Sequence, residues 1–405
     1  MRKVYCDHAA TTRCHPEVAR LMYEYLTEYY GNPSSIHAVG RRARKGVEEA
    51  RAQVAALIGA KPAEIFFTSG ATEADNWALR GALEANRAKG NHLIITPFEH
   101  HAVLEAAEAL RHEGYEVTMV DVEPGTGIVR PEALLEAMRP TTVLISIMYV
   151  NNEIGTVQDI AGLCAAAKAK DPGVIFHTDA VQAAGYIPLD VNRLGVDLLS
   201  LSAHKIYGPK GVGALYVRRG FRFGRGIVVG GGQERKMRAG TENVPGIVGF
   251  GLAAEIAARE LDRRTAHARA MRDRFLRGVL AIDGVRLNGV DPLAHPELRH
   301  PGNANVSVDG VEGEAMLLRL DMAGICASSG SACTSGSLEP SHVLLAVGCS
   351  RDQAQSSLRF SFGDENTEED VDYVIAEFAR SVDYLRKLAA PGRGPRAGVG
   401  GVRPG

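Results

Sequence analysis

The sequence predicts an α/β protein, a large unit with a mostly parallel seven-stranded sheet flanked by helices and a smaller α+β unit after it. Three observations predict this. Seven short apolar runs alternate with amphipathic helical patterns from about residue 40 to 220, the pattern of a parallel sheet covered on both faces. Beyond about residue 262 a long charged helical stretch leads into further strands and a last helix. The chain, at 405 residues, is long enough for two or three cores.

Taken in order, "RRARKGVEEARAQVAALIGA" places Val47, Ala50, Val54, Leu57 and Ile58 at helical spacing and ends at Gly59. "EIFFT" reads as a strand and "SGATEADNWALRGALEA" as the helix after it. The alternation continues through strand "NHLIIT", helix 101–112, strand "YEVTMVDV", helix 131–138, strand "TVLISIMYV", helix 159–169 and strand "GVIFHTD". "VDLLSLS" and "GVGALYV" complete the seven. The charged helix "ELDRRTAHARAMRDRFLRGVLA" then precedes strands "ANVSVDG" and "LRFSFG" and a helix over 367–387. The expected division is a large domain over 13–262 and a small one built from 1–12 and 263–390. The tail 391–405 has six Gly and three Pro, so it is expected to be disordered.

Composition narrows the function classes. The 46 basic and 48 acidic residues nearly balance, leaving a net charge of −2, which argues against nucleic acid or an anionic membrane as the main partner. No apolar run approaches the length of a membrane span, and "MRKVYCDHAATTRCHPE" lacks the apolar core of a signal peptide. A cytoplasmic protein is expected. Cys6, Cys14, Cys164, Cys326, Cys333 and Cys349 show no C-x-x-C spacing, so they read as free thiols and give neither a disulfide framework nor a metal site.

In a parallel α/β sheet, ligands bind beyond the carboxyl ends of the strands. After "EIFFT" come Ser69, Gly70, Ala71, Thr72 and Glu73, a glycine turn into a helix. Such a turn presents free N–H groups to a phosphate, although it serves equally well as a plain helix cap. After "GVIFHT" comes Asp179, with Gln182 three residues on, and after "VDLLSLS" come Ser202, Ala203, His204 and Lys205. Asp179 and Lys205 read either as an ion pair or as the acid and amine of a pyridoxal phosphate site. The Gly-rich "IYGPKGVG" after Lys205 favours the second, because it lets backbone approach a ligand. Neither a Rossmann nor a P-loop glycine pattern stands in the right context. The Ser/Gly-rich stretch "SSGSACTSGS" surrounds Cys333 with residues that anchor nothing in a core, which suits a thiol on a mobile carrier.

Read together, "DHAATT", "YGNPSS", "TSGATE", "NNEIGT", "HTDAVQ", "SAHKIYGPKG", "RAGTEN", "SSGSACTSGSLEPSH" and "SSLRFSFG" resemble the cysteine desulfurases, pyridoxal-phosphate enzymes of the aspartate-aminotransferase fold type within the class-V aminotransferases. The long cysteine segment and "RAGTEN" resemble the NifS/IscS group. The resemblance implies pyridoxal 5'-phosphate as cofactor and Lys205 as the lysine that holds it covalently. Asp179 is implied at the ring nitrogen, Gln182 at the ring hydroxyl, and Asn151 near that hydroxyl and the substrate. Ala71, Thr72, Ser202 and His204 are implied at the phosphate, with Thr241 reaching the phosphate of a second subunit in a homodimer. His100 is implied as the ring that stacks on the cofactor and moves protons, while its neighbour His101 has no matched role. Arg359 is implied as a fork on the substrate carboxylate. Cys333 is implied as the thiol that takes sulfur from L-cysteine, leaving L-alanine and a persulfide for an acceptor protein. His8 stands where many relatives carry Asn, a departure close to the substrate pocket.

Other readings remain open at this point. An aminotransferase of the same fold has no need of Cys333. A selenocysteine lyase shares most of the machinery, and a protein that lost catalysis to become an assembly scaffold would not need both Lys205 and Cys333. General iron–sulfur cluster assembly, nitrogenase maturation and tRNA thiolation are all compatible destinations for the sulfur.

Overall fold

The protein is described by a computed structural model covering residues 2–329 and 339–389. The expectations for Cys333 and for the tail lie outside the described residues. A short N-terminal strand, β1 (Val4–Tyr5), starts the chain. Seven strands then build the central sheet: β2 (Ile65–Thr68), β3 (His92–Ile95), β4 (Glu116–Met119), β5 (Thr142–Ser146), β6 (Ile175–Asp179), β7 (Leu198–Ser202) and β8 (Gly213–Val217). Their spatial order is β2-β8-β7-β6-β5-β3-β4. Only β8 runs antiparallel to its neighbours β2 and β7. Strands β5, β6 and β7 are buried at every residue, as helices on both faces require. The edge strand β4 leaves Glu116 and Met119 exposed, the polar residue helping to blunt an open edge.

One core lies between the sheet and the helices Ala38–Leu57 and Val244–Arg259, with Val47, Val54, Phe67, Ile247 and Phe250 in contact. A second, with Trp77, Leu79, Leu93, Val103 and Leu144, lies under the helices Ala71–Ala85 and His101–His112. The third joins Val4 and Cys6 to residues between Met271 and Val382. It covers a four-stranded sheet made by β9 (Val285–Leu287), β10 (Asn303–Val308), β12 (Ser328–Ser329) and β13 (Ser357–Ser361), in the order β12-β13-β10-β9. The remaining strand, β11 (Ile325–Cys326), pairs with β1, and Asp7 bridges to Ser361. Residues 343–354 lie between strands of the small sheet in sequence, yet Val343, Leu344, Val347 and Ala354 pack into the first core.

The sheet strands expected from the sequence all form, mostly within two residues of the expected ends. The exceptions are "YEVTMVDV", which ends at Met119, and "TVLISIMYV", which ends at Ser146. The charged helix is Leu261–Val279, and it follows directly on Val244–Arg259. Strands β1, β9, β11 and β12 escaped the sequence reading because two or three residues are too few to show a period.

Candidate active site

The helix Ala71–Ala85 starts with Gly70 as its cap, and glycine offers no side chain to occupy the first N–H groups. The Glu73 carboxylate accepts the Ser69 N–H at 2.8 Å and pairs with Arg238 at 2.8 Å. Glu73 therefore serves the turn, while Ala71 and Thr72 open a 15-residue helix with no side-chain cap on its first N–H groups. Four orphan N–H groups and the positive end of the dipole suit an anion there. Gly213 brings β8 against this turn, since a Cβ on it would stand 2.7 Å from the carbonyl carbon of Gly70. Ser202, buried at the end of β7, pairs in register with Gly213. His204 follows it, its Nδ1 3.1 Å from the Thr11 hydroxyl, and burial beside Lys205 and Lys210 pushes its pKa down to about 4.

Asp179 ends β6 and is buried. Its Oδ1 accepts the Val181 N–H at 2.9 Å. Burial pushes the carboxyl up to about 6, although the Lys205 charge pulls the other way. A buried carboxyl so poorly compensated is suited to a cationic partner, as a protonated pyridine nitrogen would be. Lys205 sits just past β7 and donates from Nζ to the carbonyls of Ala9 and, at 2.8 Å, Ala10. Gln182 donates to the same Ala9 carbonyl at 3.0 Å. The "DHAATT" segment thus braces both groups. The ingredients of a pyridoxal phosphate site, an anion cradle, a buried acid and a lysine at neighbouring strand ends, are present and fit that group.

His100 caps the helix His101–His112, its Nδ1 accepting the Ala102 N–H at 3.1 Å. The lone pair on Nδ1 is thereby engaged, so the neutral ring carries its proton on Nε2. Burial, with Lys205 adding repulsion, pushes its pKa down to about 4. His101 begins that helix, and its ring packs 4.7 Å from the ring of His342, whose Nε2 donates to the Glu99 carbonyl at 3.0 Å.

Arg359 in β13 is buried. It donates to Asp7 Oδ1 at 2.8 Å and to the Asn152 carbonyl at 3.1 Å, while its Nε has no partner among the described residues. Asn151 has its side chain engaged on all sides. Its Nδ2 donates to the Phe98 carbonyl at 2.9 Å, and its Oδ1 accepts the N–H groups of Glu153 and Ile154. It braces the 151–154 turn. Thr241 is exposed and shares a surface pocket with Thr68, Ser69 and Gly211 of its own chain. His8 is buried, its ring 5.1 Å from that of Tyr5, and lines a small cavity with Lys205, Gln182 and His300.

Sequence reasoning passed over Asp7, which tethers Arg359, and the buried set Asp75, Glu99 and His177. A signal existed: Asp75 interrupts the apolar stripe of its helix, and His177 is a polar residue inside an apolar strand. Among the described residues no group of three or more His, Cys, Asp or Glu side chains is placed to hold a metal ion, and no helix is long and apolar enough to cross a membrane.

Residues 4–374 match the family described as aminotransferase class-V. The chain is 48% identical to a protein named cysteine desulfurase IscS from Methanosarcina thermophila, over 96% of this chain and 94% of the relative. It is 49% identical to one of the same name from Dictyoglomus turgidum, over 96% of each. A solved structure titled NifS-like protein superposes with a TM-score of 0.88 at 38% identity, covering 95% of this chain and all of the other. A NifS-like protein from Rickettsia africae superposes with a TM-score of 0.84 at 29% identity, covering 94% of this chain and all of the other.

Proposed function

The chain belongs to the class-V aminotransferase family and is a pyridoxal-phosphate-dependent cysteine desulfurase, and on that premise we propose which residues carry the reaction and where its sulfur goes. Ala71 and Thr72, with Ser202 and His204, hold the phosphate; Asp179 meets the ring nitrogen and Gln182 the ring hydroxyl. Asn151 holds the turn beside that hydroxyl. The cofactor, when bound, supplies an electron sink for the charge left at the substrate Cα. The Lys205 amine, which holds the cofactor at rest, takes the Cα proton once released. His100 stacks on the ring and presents a proton at Nε2 to the reacting groups. Arg359, held in orientation by Asp7 and the Asn152 carbonyl, forks the substrate carboxylate through Nε, unpartnered among the described residues, and a second N–H of the guanidinium.

Cys333 then attacks the substrate sulfur as a thiolate. An S–S bond forms as the C–S bond breaks, the bonding pair stays with the carbon skeleton, and protonation there gives L-alanine. A thiol of ordinary pKa near 8.5 is only a few per cent thiolate at neutral pH, so His100 or the field of the site assists by favouring the anion. The persulfide passes to a sulfur-acceptor protein, and we infer that it serves iron–sulfur cluster assembly in the cytoplasm. The observation that carries this reading is the meeting of Asp179 and Lys205 at neighbouring strand ends, with the Lys205 charge felt by both Asp179 and His100.

The assay is release of alanine and sulfide in equal amounts from L-cysteine with a thiol reductant. In it, Arg359→Lys keeps the charge and loses the fork. A lost hydrogen bond to a charged group costs about 1.5–3 kcal/mol, so KM for L-cysteine should rise about tenfold or more with kcat much less affected. An unchanged KM would remove Arg359 from the carboxylate site.

We also infer a two-fold homodimer in which Thr241 completes the phosphate site of the other subunit. Exposed apolar residues support an interface: Tyr23, Leu26, Tyr30 and Ile36 near the N-terminus, and Ile227 and Val229 before the Thr241 loop. Mixing Lys205→Ala with Thr241→Ala subunits tests the sharing. One hybrid site then carries both lesions and the other none, so activity should reappear. Confirmed heterodimers without recovery would show that Thr241 serves its own chain.

A further inference from the structure

Beneath the proposed cofactor site lies a set of buried polar groups that the reaction itself does not use. Asp75, on the helix that starts at the phosphate cradle, is buried, and neither carboxylate oxygen has a hydrogen-bond partner among the described residues. Its Oδ1 lies 3.6 Å from His177 Nε2. The His177 ring spans three strands, with Nδ1 2.8 Å from the Ser146 hydroxyl of β5 and Nε2 3.0 Å from the Ser200 hydroxyl of β7. His177 and Asp179 are two apart on β6, so they face the same side of the sheet. A third carboxyl, Glu99, is buried nearby: the Thr96 hydroxyl at 2.6 Å and the Met148 N–H at 3.0 Å both reach its Oε1, its Oε2 has no hydrogen-bond partner among the described residues, and burial pushes it up to about 8.

We propose that Asp75 is a positioning residue that carries a proton, so that the one negative charge this buried pocket sustains rests on Asp179, facing the cofactor ring. The inference rests on the reading that Asp179 meets the ring nitrogen. Two carboxyls sharing a buried site cannot both ionise cheaply, and the one with donors keeps the charge. Asp179 has the Val181 N–H and the pull of Lys205, whereas Asp75 has no cation and only the Ser200 hydroxyl, which His177 Nε2 shares at 3.0 Å. The groups that act on Asp75 are Asp179 from β6, Glu99 from the turn after β3, and the Ser200 hydroxyl of β7. His177 from β6 would be its natural counter-ion, but burial pushes that ring down to about 3 and keeps it neutral. The strands β2 and β8 present apolar Phe66 and Leu215 to the same layer. Burial and the charge of Asp179 accordingly hold Asp75 well above the usual carboxylate range.

The sign of the stability effect separates this from an ordinary buried ion pair. A carboxyl whose folded-state pKa is raised binds a proton that the unfolded chain releases above about pH 4. It therefore costs stability increasingly as pH rises beyond that point. Asp75→Asn removes the cost. Its melting temperature should match the wild type near pH 4–5 and exceed it by a margin that grows towards pH 8. An Asp75–His177 ion pair predicts the reverse, a loss on substitution that is largest near neutrality, and that result would overturn the proposal. A second measurement does not depend on the variant folding. Infrared spectra of wild-type holoenzyme carrying isotope-labelled aspartate should show a protonated carboxylic acid band persisting at pH 8, and its absence would also overturn the proposal. The Asp179 reading is tested apart. Asp179→Asn should weaken cofactor binding at least about tenfold, as loss of a charge-assisted bond does, while Asp75→Asn leaves it near wild type at pH 7. Unchanged binding in Asp179→Asn would sink that reading; weakened binding in Asp75→Asn alone would overturn the assignment of charge to Asp179.

Discussion

Cys333→Ala is expected to bind pyridoxal phosphate as the wild type does, to change its visible absorbance when L-cysteine is added, and to release alanine only at background rate. The cofactor contacts proposed here come from Ala71, Thr72, Asp179, Gln182, Ser202, His204 and Lys205, and the substrate carboxylate is met by Arg359. Those steps need no thiol, so the early absorbance change survives. What fails is C–S cleavage, because no acceptor is present for the sulfur. Removing a nucleophile costs orders of magnitude in turnover. Mass spectrometry of the wild type after L-cysteine should find one added sulfur on the peptide carrying Cys333. The described cysteines offer controls. Cys6 and Cys164 are buried, and burial pushes both thiols up, as it does Cys349, which keeps them protonated and poorly nucleophilic. Sulfur found on Cys326 or Cys349, or full activity in Cys333→Ala, would end the role assigned to Cys333.

The fold was legible because its physics is local. A strand covered on both faces reads as an unbroken apolar run, and β5, β6 and β7 are buried at every residue. Their carboxyl ends could then be searched for chemistry, which is how Asp179 and Lys205 stood out. Residues whose meaning depends on distant partners were not legible in the same way. Nothing beside Asp7 in sequence says that it tethers Arg359, 352 positions away. Nor does anything in the sequence say that Asn151 also braces a turn, its Oδ1 accepting the N–H groups of Glu153 and Ile154. Nor does the sequence around Asp75 say that its carboxylate lies 3.6 Å from His177 Nε2. Side-chain roles fixed by long-range contact require the fold before they can be read.

Lys205→Ala should lose the absorbance of the lysine-linked cofactor and nearly all turnover. The amine has two tasks, a covalent hold on the cofactor at rest and removal of the Cα proton during the reaction, and alanine can do neither. Loss of a general base alone costs about a hundred- to ten-thousandfold, and loss of the covalent link adds to that. The nearest lysine in sequence, Lys210, is exposed beyond Gly208 and Pro209, whereas Lys205 is held by the Ala9 and Ala10 carbonyls where both Asp179 and His100 feel its charge. The two positions are not interchangeable. Borohydride reduction followed by peptide mapping is the measurement: in the wild type the cofactor should be fixed to the peptide carrying Lys205, and in the variant to none. The variant should still hold cofactor non-covalently, because the cradle at Ala71 and Thr72 and the acid at Asp179 are intact, and only the linkage should be missing. A variant that traps cofactor at another lysine as readily as the wild type would show that the covalent site lies elsewhere, and the roles given to Asp179 and His100 beside it would fall with it.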